Sequence, residues 1–82
     1  MNIYLLEQNV NDDYDTYDSM VVSAPDEHTA RQMHPNDPLG YETDSNRRYK
    51  EWANSPDQVQ VTLLGTSNNP TQKIILASYN AG

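Results

Sequence analysis

Between positions 12 and 18 the chain reads Asp-Asp-Tyr-Asp-Thr-Tyr-Asp, placing the carboxylates of Asp12, Asp13, Asp15 and Asp18 around Tyr14 and Tyr17. Carboxylates this dense can hold a cation or face a basic surface. A calcium loop of the helix–loop–helix type needs a glycine at its sixth position and a glutamate at its twelfth. Counting from Asp13, those positions hold Asp18 and Ala24, so that site is excluded. Tyrosine interleaved with aspartate suits a contact surface, because tyrosine offers a large rigid area at little entropic cost. The stretch therefore reads as a partner-binding loop made of Asp12, Asp13, Tyr14, Asp15, Tyr17 and Asp18, with a solvated acidic loop as the plainer alternative.

Other chemistry is sparse. His28 and His34 are six residues apart, about 240° around a helix, so they do not converge as a metal-binding pair would. They read as surface or helix-end histidines. There is no cysteine, hence no disulfide and no thiolate metal site. No nucleophile–base motif, phosphate loop or zinc-protease motif is present. The expectation is a protein that is not an enzyme, with no cofactor and no metal. Arg47, Arg48 and Lys50 form the only basic cluster. They read as a solvated helix face or, alternatively, as a small-molecule site.

Eighty-two residues suit one domain with one core. The net charge of -7 is uneven: residues 1–45 carry ten acids and one base, residues 46–82 two acids and four bases. An acidic chain lacks the Lys and Arg that neutralise phosphates, which argues against direct nucleic-acid binding. No apolar run reaches membrane-spanning length, and the N-terminus lacks a basic leader, so a soluble cytoplasmic protein is expected. Leu, Ile and Val total only fourteen, but twelve fall in four short runs: Ile3, Leu5, Leu6; Val21, Val22; Val59, Val61, Leu63, Leu64; and Ile74, Ile75, Leu76. Such clustering builds strands separated by polar loops.

In chain order, 2–8 reads as a strand with Ile3 and Leu5 on one face and Tyr4 and Leu6 on the other. A second strand covers Met20–Val22 and leads into a helix over Pro25–His34. Pro25 suits its first turn, Ser23 and Asp26 suggest a capping pair, and Ala30 and Met33 mark its buried stripe. Residues 36–56 are ambiguous; Ser45 could cap a helix from Asn46 to Ala53 that aligns Tyr49, Trp52 and Ala53. Residues 58–64 alternate with Val59, Val61 and Leu63 inward, and 73–79 form a last strand with Ile74 and Leu76 opposed to Ile75, Ala77 and Tyr79. The result is a single α+β domain over 1–82: a small antiparallel sheet of about four strands in the order β-β-α-β-β, with hairpins at both ends and one main helix on one face. One short helix cannot cover Tyr4, Leu6, Leu64, Ile75 and Tyr79 together. Either Tyr49 and Trp52 cover the second face or a second copy does, which makes a homodimer possible.

The pattern Tyr4-Leu5-Leu6, Tyr14-Asp15-Thr16-Tyr17-Asp18-Ser19, Val21-Val22, Ala30-Arg31, His34-Pro35 and Ala77-Ser78-Tyr79-Asn80-Ala81-Gly82 resembles a group of short phage and prophage open reading frames. That resemblance implies the cytoplasm of an infected or lysogenic bacterium and an accessory role directed at the host. Combined with the acidic loop, it gives the leading expectation: a non-enzymatic inhibitor of a host defence or nucleic-acid-processing protein, anti-CRISPR-like or a DNA mimic, whose partner presents a basic surface. The alternative is a small oligomer that binds a signalling nucleotide or other small molecule through Arg47, Arg48 and Lys50.

Overall fold

The computed structural model describes residues 1–10, 16–36, 51–53 and 55–80. It has the small α+β architecture: a four-stranded antiparallel sheet and one short helix. Strand β1 is Asn2–Glu7, β2 is Thr16–Ala24, helix α1 is Glu27–Gln32, β3 is Gln60–Thr66 and β4 is Lys73–Asn80. A single 3₁₀ turn, Pro56–Gln58, leads into β3.

The strand order is β3-β1-β2-β4. Only the first pair is therefore a hairpin. The expected hairpin between β3 and β4 does not form, because those strands occupy opposite edges. The segment after Thr66 must cross the end of the sheet beneath β1 and β2, and the N-terminus pins it there. The Met1 ammonium donates to the carbonyls of Ser67 (2.7 Å) and Asn69 (3.4 Å), and the Ser67 N–H donates back to the Met1 carbonyl at 2.7 Å.

Cross-strand partners share a face, so the register sorts the sheet into two sides. Tyr4 faces Val22 and Leu6 faces Met20 on one side; Leu5 faces Val21, and Val21 faces Leu76, on the other. The first side carries the core: Tyr4, Leu6, Met20, Val22 and Ala24 from the sheet, Ala30 and Met33 from the helix region, and Trp52, Ala53 and Val59 from the return segment. Trp52 thus joins the face that α1 covers and does not shield the second face; Tyr49 lies outside the described residues. On the second face Ile3, Leu5 and Val21 are half-buried and Leu76 is 68% exposed.

Two bulges interrupt the later strands, and the one in β4 overturns the simple alternation expected there. In β4 the register slips between its pairs with Val21 and Val22, so Ile74 and Ala77 pack on the core while Leu76 faces outward. In β3 the register slips opposite Ile3 and Tyr4. The unpaired residue is Leu64, so Val61 and Leu63 keep the core-side positions opposite Leu6 and Tyr4 that their spacing suggests, but Leu63, on the outer strand, is 60% exposed. An extra residue in one strand flips the parity of everything beyond it.

The helix is shorter than Pro25–His34 and starts differently. Asp26, and not Ser23, is its N-cap: the Asp26 carboxylate accepts the Thr29 N–H at 2.7 Å, while Ser23 is buried in β2. Pro25 precedes the cap. The last turn closes with the Met33 N–H on the Ala30 carbonyl (3.0 Å), where the backbone becomes extended two residues ahead of Pro35. Six residues do not form a stable helix alone, so tertiary contacts hold it. Ala30 and Met33 are fully buried as expected, and the Arg31 guanidinium donates to the Val59 carbonyl, tying α1 to the start of β3. The 3.6 Å Arg31–Glu27 pair lies at the surface, with Glu27 exposed and Arg31 half-buried, and contributes little.

The cap gives a pH signature. The Asp26 carboxyl is held below its ordinary value of 3.8, chiefly by the Thr29 backbone N–H, then by the Thr29 side chain. A depressed folded-state value stabilises the fold above the unfolded value and loses that stabilisation as pH falls through the folded one. Asp26→Asn keeps a capping side chain, so it should leave the neutral-pH melting temperature nearly unchanged and flatten its decline below pH 3.8. Asp26→Ala should lower the melting temperature at neutral pH as well.

Candidate functional site

The acidic hairpin is anchored by one buried amide. Gln8 follows β1, and its Nε2 donates to the Tyr17 carbonyl at 2.8 Å while its Oε1 accepts the Val10 N–H at 3.1 Å. Its own N–H donates to the Asp18 carbonyl at 3.1 Å. Side chain and backbone of one residue thus fix both ends of the 11–15 connection.

Asp18 stands in the register slip between Tyr17 and Ser19, without a Cα partner on β4. The bulge turns its carboxylate to solvent, where Oδ1 accepts from the Ser19 hydroxyl at 3.4 Å. Beside it lies an open groove of about 280 Å³ lined by Glu7, Gln8, Asn9, Asp18, Ser19 and Gln60. The lining holds two carboxylates, three amides, one hydroxyl and no basic side chain. Such a surface accepts hydrogen bonds from Lys and Arg and offers an incoming phosphate no cation.

Of the residues the sequence singled out, Asp18 is at this groove and exposed. Tyr17 does not lie in a loop, and is not fully exposed, as its sequence context suggests. It belongs to β2, is half-buried against the core, and packs its ring on Tyr79 with centroids 4.8 Å apart at 47°. A strand running back to Thr16, and not to Met20, places it there. Asp12, Asp13, Tyr14 and Asp15 lie outside the described residues, as do Arg47, Arg48 and Lys50 of the alternative site. Glu7, Gln8, Asn9 and Ser19 were legible only as strand-end residues, and Gln60 joins them through a strand order the sequence does not encode locally.

Neither histidine forms part of the groove. His28 is exposed on α1, but His34 is fully buried, and its Nδ1 accepts the Asn36 N–H at 3.1 Å. It is therefore not a surface group. Among the described residues no three His, Cys, Asp or Glu side chains converge to hold a metal, and no helix is long and apolar enough to cross a membrane. Comparison of the chain with protein-family models, with curated proteins and with solved structures gave no match.

Proposed function

We propose that this chain is a non-enzymatic binding protein that occupies and inhibits a basic surface on a bacterial host protein, such as a nucleic-acid-processing enzyme of a defence system in the host cytoplasm. The observation that carries this reading is the Gln8-clamped hairpin base. Glu7 and Asp18 bracket a groove of hydrogen-bond acceptors free of basic groups, at the end of the sheet from which Asp12, Asp13 and Asp15 follow in the chain. Carboxylates in this position would stand where DNA phosphates stand in the partner's groove, and such contacts set on-rate and selectivity.

The test is capture of host proteins on the immobilised chain at low salt, beside a variant carrying Asp12→Asn, Asp13→Asn, Asp15→Asn and Asp18→Asn. A partner should bind the parent chain, be displaced by duplex DNA, and leave as salt rises. The four-asparagine variant should lose most of that binding while its melting curve stays close to the parent's. Absence of any partner at low salt, or equal retention by the variant, overturns the proposal.

A further inference from the structure

We infer that the chain forms a twofold dimer by pairing β4 with β4 of a second copy, antiparallel, into one eight-stranded sheet. Strands β3 and β4 are the outer strands of the sheet, and the described elements protect them unequally. The outer strand β3 packs on α1 as well as on β1, and Arg31 occupies the Val59 carbonyl next to its start. The outer strand β4 has β2 as its only extensive partner among the described elements.

Edge strands of monomers are usually blunted by internal charges, by proline, or by shortness. Strand β4 runs eight residues, Lys-Ile-Ile-Leu-Ala-Ser-Tyr-Asn, with its one charge at the first position and no proline. Three of its large apolar side chains are exposed, Ile75 at 48%, Leu76 at 68% and Tyr79 at 49%, beside the exposed Lys73 and Ser78. An extended strand that matches this edge gains main-chain hydrogen bonds along its length.

Charge selects a second copy as that strand. The chain carries -7 overall, yet β4 carries no acid, so the repulsion resides elsewhere. Antiparallel pairing with the axis near Leu76–Ala77 sets Lys73 of each copy opposite the Tyr79–Asn80 end of the other. Tyr79 pairs with Tyr17 on β2, next to the exposed Asp18. Lys73 then lies two strand spacings, roughly 10 Å, from Asp18 of the second copy, within reach of an attractive field at low salt. Twofold symmetry makes that contact twice, with basic end meeting acidic end. Parallel pairing would instead set the two Lys73 residues side by side.

Sedimentation equilibrium of the full chain over micromolar concentrations tests this. The expected mass is twice the 9.3 kDa of one chain. Leu76→Lys on β4 should give the monomer mass, and Leu63→Lys, equally exposed on the opposite edge, should leave the dimer intact. Lys73→Glu should raise the dissociation constant about tenfold at low salt, with the difference shrinking as salt is added. Should Leu76→Lys not fold, hydrogen exchange on the parent chain decides: β4 amides pointing away from β2 should gain protection as concentration rises. A monomeric parent chain across the range, loss of the dimer on Leu63→Lys, or β4 exchange independent of concentration overturns the inference.

Discussion

Trp52→Ala is expected to remove most of the stability of this fold. Trp52 is the only tryptophan, fully buried, and the largest of the ten residues that make the core. Truncating a buried Trp to Ala typically costs about 3–5 kcal/mol, from lost transfer energy plus the cavity left behind. A domain of this length has on the order of 4–12 kcal/mol in all. The rest of the core is in part small or already committed: Ala24, Ala30 and Ala53 cannot expand, and Met20 and Met33 are themselves buried. Urea denaturation followed by circular dichroism should show a midpoint shift of that size or no cooperative transition. Trp52→Phe, which keeps an aromatic body, should lose less. In the parent chain Trp52 fluorescence should be blue-shifted and poorly quenched by acrylamide. A Trp52→Ala protein with an unchanged midpoint would show that Trp52 is not the centre of the core.

The two ends of the chain were readable to different degrees, for a physical reason. Alternation in β1 sorts Tyr4 and Leu6 from Ile3 and Leu5, and the structure keeps that division because β1 is central and regular, paired on both sides. The Ala30–Met33 spacing likewise marks the buried side of α1. Strands β3 and β4 each carry a bulge, and a bulge leaves no trace in a count of alternating residues. That is how Leu76 came to face solvent against its spacing, whereas Leu63, ahead of the bulge in β3, keeps the side its spacing gives and is exposed because it lies on an outer strand. Strand order is a non-local property: nothing near Gly65 tells whether the next segment turns back as a hairpin or crosses the end of the sheet. The crossing is fixed by Met1, more than sixty residues away in sequence.

The candidate site was half readable. Its charge is local, so Asp18 could be named from the sequence, as could the acids preceding it. Its shape is not local. The clamp depends on Gln8, an ordinary polar residue at a strand end, whose burial follows from packing and not from any motif. Tyr17 shows the opposite failure. Its neighbours Asp15, Thr16 and Asp18 give it a loop-like setting, whereas pairing with Tyr79 across the sheet draws it into β2 and against the core.

Leu6→Ala and Leu76→Ala should differ in cost by several-fold although both remove the same atoms from strands of one sheet. Leu6 is fully buried in central β1, with Met20 on one side and Val61 on the other in register. Its neighbours are held by ladders on both flanks, so the site can collapse only partly, and the expected loss is about 2–5 kcal/mol. Leu76 lies on edge strand β4 with 68% of its surface exposed, and its register partner is the half-buried Val21. Truncation there opens no enclosed cavity and should cost roughly 0.5 kcal/mol or less in the monomer. Both variants are best compared by chemical denaturation at protein concentrations dilute enough that pairing between copies does not enter the measured stability. Raising the concentration should then separate them in a second way. Leu6→Ala should keep whatever concentration dependence the parent chain shows, because β4 is untouched, whereas Leu76→Ala should weaken it. Equal costs for the two substitutions in the dilute protein would mean that the second face of the sheet is as well packed as the first, and that Leu76 does not face solvent.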